Sequence, residues 1–265
     1  MDIKYWKIIC SFFLICASVA FCESMKNESS IIRTNAISNV DFRDFTPEKT
    51  EPSKEAVDWT ISYAFNTQDT KAPRVLLIGD SICNGYQPEL RKLLANKVNV
   101  SFWASSFCIS NPQYMEMLDV VLNGPKPQLV LLNNGLHTPP DEDFATWKAA
   151  YSKVIAFVHA KLPSTPILIV NSTPLKEDSR GYVDGINKAT AEVAALESLE
   201  LLDIHSLCAS WDREALWSDK YHFKPEGKVL QAKFLSNAIL RNLPASLPHA
   251  SAQQQSATGP DGPIK

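Results

Sequence analysis

The stretch RVLLIGDS, residues 74–81, is a run of four apolar residues closed by a glycine, an acid and a serine. A short apolar run bounded by turn residues reads as a strand buried on both faces, the kind that lies inside a parallel sheet. Open α/β sheets bind their ligands just beyond the carboxyl ends of such strands. Gly79 permits a tight turn at that point, and Asp80 and Asn84 offer side chains able to cap a following helix. Ser81 then stands at a strand-turn-helix junction, where a helix N-terminus favours negative charge building on a substrate oxygen. Gly-Asp-Ser is also an ordinary turn, so it is the position that makes Ser81 a nucleophile candidate.

Outward from this strand the chain alternates. Strand-like runs fall at Val75 to Ile78, Val98 to Trp103, Leu129 to Leu132, Ile167 to Val170 and Leu201 to Ile204. Helical segments fall between and after them, at Gln87 to Ala95, Pro112 to Leu122, Phe144 to Lys161, Tyr182 to Ser198 and Glu226 to Leu240. Strands alternating with helices of this length predict an α/β domain, a parallel sheet with helices on both faces. The 265 residues supply one good-sized core, and the domain is expected over residues 72–245.

The flanks differ in character. MDIKYWK is followed by the apolar run IICSFFLICASVAF and a polar stretch from Glu23, the layout of a secretory signal peptide over residues 1–22, cut after Ala20 or Cys22. The run is shorter than the roughly 20 residues that cross a bilayer, so removal is expected rather than a retained anchor, and a secreted or periplasmic protein with it. Residues 23–71 read as a linker and an N-terminal segment packed on the domain, with Trp59, Ile61, Tyr63 and Phe65 as its one apolar cluster. Residues 246–265, rich in Ser, Ala, Gln, Gly and Pro, read as a disordered tail.

A formal net charge of −3 with scattered Lys and Arg excludes the electrostatic footprint of a nucleic-acid binder and suits an uncharged or weakly charged substrate. Cys-x-x-Cys and His-x-x-x-His spacings are absent, so no zinc site, and no metal or other cofactor, is expected. Cys83, Cys108 and Cys208 are an odd set within the domain, and no disulfide pairing follows from them. Asn27, Asn99 and Asn171 head Asn-x-Ser/Thr sequons.

Two further clusters bear chemistry. Asp219 and His222, three residues apart, can supply an orienting carboxylate and a general base from one loop, completing a Ser, Asp, His order with Ser81. Read alone, the segment is an aromatic one, with Trp217, Tyr221 and Phe223, whose Asp and His cap the last helix. NNGLH, residues 133–137, follows the strand QLVLL, and neutral donors at a strand end suit an oxyanion. The competing reading is a plain polar turn. No Gly-x-Ser-x-Gly elbow is present, and Cys83 would face away from Ser81 if a helix begins there.

IGDSI, NNGLH and SDKYHFKPEG together resemble the first, third and fifth sequence blocks of the SGNH/GDSL hydrolases, over roughly Arg74 to Leu243. The resemblance implies a flavodoxin-like three-layer α/β/α sandwich on a parallel five-stranded sheet. It also implies serine esterase chemistry through Ser81, Asp219 and His222, with an oxyanion hole that uses the Ser81 amide and groups of the second and third blocks. The chain departs from the usual Gly-x-Asn-Asp third block and is similar to an exported branch with Asn-x-Gly-x-His, which makes Asn133, Gly135 and His137 the third-block candidates. No second-block glycine stands in WASSFCISNPQY, where Ser105, Ser106 or a backbone amide are the alternatives. The expected substrate is a small-molecule or polysaccharide ester, short-chain and most simply acetyl on a carbohydrate. Trp103, Trp217 and Tyr221 are candidates to stack on a sugar ring. The alternatives are an O-acyltransferase acting on a sugar acceptor, which shares the covalent step, and a non-catalytic carbohydrate-binding protein on the same fold.

Overall fold

The computed structural model describes residues 40–47, 55–177 and 181–243; the expected signal peptide and tail, and Asn27, lie outside them. After a 3₁₀ turn at Phe42–Asp44, the elements are β1 (Thr60–Ala64), β2 (Arg74–Gly79), α1 (Ser81–Leu93), β3 (Asn99–Ser105), α2 (Pro112–Leu122), β4 (Leu129–Leu132) and α3 (Phe144–Lys161). They continue with β5 (Ile167–Val170), α4 (Tyr182–Leu196), β6 (Glu200–Leu202), α5 (Ile204–Ala209), α6 (Arg213–Leu216) and α7 (Pro225–Asn242).

The sheet has six strands in the order β1-β3-β2-β4-β5-β6. β3, β2, β4, β5 and β6 are parallel, as the alternation predicts, and their order is the flavodoxin-like one. β2 and β4 are buried along their whole length, which is why they read as unbroken apolar runs. β1 corrects the reading of residues 23–71. The segment with Trp59, Ile61, Tyr63 and Phe65 is more than laid against the domain, because it pairs antiparallel with β3 and ends the sheet. Arg74 fixes that connection, donating to the carbonyls of Phe65 at 2.7 Å and Asn66 at 2.9 Å.

Two apolar cores lie on the two faces. α2, α3 and α4 cover one, with Trp103, Trp147, Tyr151 and Phe157 at its centre. α1, α5 and α7 cover the other, with Phe102, Leu90, Trp217, Phe223 and Leu235. The sixth α-helix, α6, is a single short turn. Among the described residues no helix is long and apolar enough to cross a membrane. Cys83, Cys108 and Cys208 are free and buried. The side-chain nitrogens of Asn99 and Asn171 bond to Asp69 at 3.1 Å and Asp203 at 2.8 Å, so two of the three sequons are consumed by the fold.

The chain order turns at β2. The first connection leads to β3 on one side and the next crosses back to β4 on the other, which leaves a crevice at the carboxyl ends of β2 and β4. RVLLIGDS and NNGLH both end there.

Candidate active site

Ser81 is the first residue of α1, which starts six residues earlier than the sequence pattern predicts. Asp80 is its N-cap and its carboxylate accepts from the Ile82 N–H at 2.8 Å; Asn84 lies inside the helix, and Pro88 is carried within it. A Cβ on Gly79 would stand 2.5 Å from the Cys83 Cβ, so glycine is what lets the first turn of α1 press against the strand end. Cys83 points inward, away from the site, and burial pushes its thiol up to about 12, leaving it a neutral S–H.

Asp219 and His222 occupy a tight loop between α6 and α7. Trp217 and Phe223 form an isolated antiparallel bridge, and their rings, 4.4 Å apart, are buried at the base of the loop. The aromatic residues are thus anchors for the loop. The carboxylate of Asp219 accepts from the N–H groups of Tyr221 and His222 at 2.8 Å each, which folds the loop back on itself. Pro225 opens α7 at a position where its missing N–H costs nothing.

These two pieces meet. His222 Nε2 lies 2.9 Å from Ser81 Oγ, and His222 Nδ1 lies 2.9 and 3.0 Å from the two carboxylate oxygens of Asp219. A proton on Nδ1, facing Asp219, leaves Nε2 as acceptor for the Ser81 hydroxyl. Partial burial opposes ionisation of Asp219, but the backbone N–H bonds of His222 and Tyr221, with the His222 ring, outweigh it and hold the carboxyl below its ordinary value. The pair is open to water, with side-chain exposures of 42% for His222 and 54% for Asp219.

The third-block residues are placed differently. Asn133 continues the β2–β4 pairing, its N–H donating to the Ile78 carbonyl at 2.9 Å. Its side-chain amide donates to the carbonyls of Val170 at 2.8 Å and Asn171 at 3.2 Å. Both hydrogens are therefore engaged, and the expectation of Asn133 as a free oxyanion donor is corrected: it braces β4 to β5. Gly135 is crowded by the scaffold, since a Cβ there would lie 2.1 Å from Ser172 Oγ and 2.8 Å from Ile186. His137 Nδ1 pairs with Glu55 at 2.7 Å and its Nε2 is buried without a partner, so neither ring nitrogen faces the open site. Of the second-block alternatives, Ser106 Oγ accepts from the Trp59 N–H at 2.9 Å and Ser105 is buried.

Asn134 is the residue that sequence reasoning passed over. It is buried, its Oδ1 accepting from the Ile109 N–H and its Nδ2 donating to the Phe107 carbonyl, each at 3.0 Å. The only signal was its place in NNGLH. Of the aromatic candidates for sugar stacking, Trp103 and Trp217 are core residues, and Tyr221 alone is exposed, at 38%. Among the described residues no three His, Cys, Asp or Glu side chains gather to hold a metal ion.

No protein-family model matches the sequence, and no curated protein matches it closely enough to count. Solved structures do resemble the fold. A lipase/acylhydrolase from Enterococcus faecalis superposes with a TM-score of 0.52 at 17% identity, over 66% of this chain and 99% of that one. A family two carbohydrate esterase from Clostridium thermocellum gives 0.52 at 15% identity, over 66% of this chain and 65% of that one. The salicylyl-acyltransferase SsfX3 from a tetracycline biosynthetic pathway gives 0.54 at 18% identity, over 67% of this chain and 58% of that one. With other structures described as GDSL-family lipolytic proteins, they establish that this chain has the SGNH/GDSL hydrolase fold.

Proposed function

We propose that the chain is an exported SGNH/GDSL serine esterase that removes short acyl groups, acetyl foremost, from a carbohydrate. The observation that carries the reading is the continuous chain of contacts from Ser81 Oγ through His222 to Asp219, all within 3.0 Å. Side chains that lie 141 residues apart have no structural need to meet at an exposed strand end in this order. Export rests on the N-terminal sequence pattern alone. The acetyl and carbohydrate parts rest on that pattern with the family resemblance, and the similarity to a carbohydrate esterase supports them.

In the reaction, Ser81 Oγ attacks the ester carbonyl carbon as His222 Nε2 takes the hydroxyl proton. Asp219, with its lowered pKa, stays ionised and stabilises the imidazolium. The N–H of Ser81, at the first position of α1 where no intrahelical acceptor exists, donates to the oxyanion. Collapse of the tetrahedral intermediate passes the proton from His222 to the departing alcohol and leaves an acyl-Ser81. Water, deprotonated by His222, then releases the acid and restores the hydroxyl.

An alcohol in place of that water would make the same site an O-acyltransferase, a second reading that the similarity to an acyltransferase favours. Hydrolysis of a short-chain acetyl ester by the purified protein, beside Ser81→Ala, tests the proposal. Activity that drops by about 10⁴-fold or more in a folded Ser81→Ala variant is the expected result. Equal turnover by both proteins would overturn the mechanism, and transfer to an added sugar in preference to water would select the second reading.

A further inference from the structure

β3 and β4 flank β2 on opposite sides, so a bond between the loops that follow them has to pass beside the end of β2, where Ser81 stands. Asn134 makes two such bonds, to the Phe107 carbonyl and the Ile109 N–H. An amide that binds the carbonyl of one residue and the N–H of the residue two further on holds the backbone between them as a neighbouring strand would. The residue between is Cys108. Within one trans peptide the carbonyl and the N–H point in opposite directions. With the Phe107 carbonyl turned to Asn134, the Cys108 N–H is turned away from it, and among the described residues it has no acceptor. Cys108 itself is buried, and its sulfur is occupied by Ser110 Oγ at 3.2 Å. Buried backbone N–H groups without an acceptor are rare, and one held beside a nucleophile is suited to receive a substrate oxygen.

We propose that Asn134 is a positioning residue: it clamps the loop after β3 across the end of β2, so that the Cys108 N–H is held as the second oxyanion donor, beside the Ser81 N–H. The inference rests on the proposed chemistry of Ser81. It gives the Asn of the third block a part that does not require its side chain to touch the substrate. It also removes the need for a second-block glycine, because the clamp, rather than freedom in the chain, sets the peptide.

The test uses Asn134→Leu and Asn134→Asp, with kcat and KM for p-nitrophenyl acetate and amide hydrogen exchange at Phe107 to Ile109. Asn134→Leu removes both bonds and is expected to lower kcat by about 100-fold with KM within about two-fold. Asn134→Asp keeps the acceptor for Ile109 and is expected to retain about ten times more turnover than Asn134→Leu. The Ile109 amide should exchange faster in Asn134→Leu than in the wild type. A folded Asn134→Leu with wild-type kcat, or one whose KM rises while kcat holds, would overturn the proposal. If Asn134→Leu fails to fold, the kcat and KM of Asn134→Asp decide, and values equal to wild type count against the clamp. Should the wild type hydrolyse no ester, the esterase reading fails by itself. Exchange at Ile109 then decides the clamp, and unchanged exchange overturns it.

Discussion

The two arms of the crevice are made of similar residue types put to opposite uses. On the α7 side, Ser81, His222 and Asp219 bond to one another through their side chains and stand open to water. On the β4 side, the amides of Asn133 and Asn134 bond to backbone carbonyls and an N–H of the scaffold, and His137 is tied to Glu55. Polar groups at a buried strand end satisfy whatever unpaired backbone lies within reach, because leaving a carbonyl or N–H dry costs about 1–3 kcal/mol. Out in the exposed loop water can do that work, and side chains are left for each other. A polar motif therefore shows that a strand end is wet or braced; depth decides which.

The comparison is tested most severely at Asp219. If the α7 arm works through its side chains, Asp219→Asn should lower turnover by about 10³–10⁴-fold, because the amide no longer holds the His222 proton on Nδ1. Circular dichroism and thermal unfolding should remain near wild type, since the loop's base is the Trp217–Phe223 pair. A variant retaining a third of the activity would show that His222 is oriented by its own backbone bonds, and the distinction between the arms would weaken.

Gly135→Ala probes the other arm. The added methyl meets Ser172 Oγ and Ile186 at distances that require the β5–α4 connection to shift, so destabilisation of about 1–3 kcal/mol is expected in a denaturant titration. The effect on kcat should be the smaller of the two. Full stability with strongly reduced turnover would instead mean that the turn at Gly135 faces the substrate.

Much of this was legible in the chain. The five parallel strands are apolar runs buried on both faces, and no other local structure accounts for such runs between helical segments. β1 carried a signal as well: Trp59, Ile61, Tyr63 and Phe65 alternate with smaller residues, the period of a strand with one face packed. The start of α1 was obscured by Asn84, Gly85 and Pro88, which resemble a loop, whereas the Asp80 cap and the packing of Cys83 and Tyr86 sustain a helix through them. α5 and α6 are too short for a periodic pattern, and Ile204, expected in the last strand, instead begins α5 behind the Asp203 cap. In the site, Ser81, Asp219 and His222 could be brought together from spacing because their contacts are with each other. What Asn133 and Asn134 bind depends on where the carbonyls of Val170 and Phe107 lie in space, which no local pattern encodes.

His137 is where the expected effect is smallest and the comparison sharpest. Its ring joins the segment before β1 to the turn after β4, through Glu55 at 2.7 Å and an edge contact with Trp59 at 6.1 Å between centroids. With Nδ1 engaged by Glu55 and Nε2 buried, the ring acts on the scaffold, and His137→Ala should lower turnover less than ten-fold while loosening the Glu55–Trp59 segment to proteolysis. Removal of a direct oxyanion donor costs about 100-fold or more in kcat. A folded His137→Ala with a loss of that size, and no gain in protease sensitivity, would mean that the ring turns to the substrate during turnover. The β4 arm would then act as the α7 arm does, through a side chain.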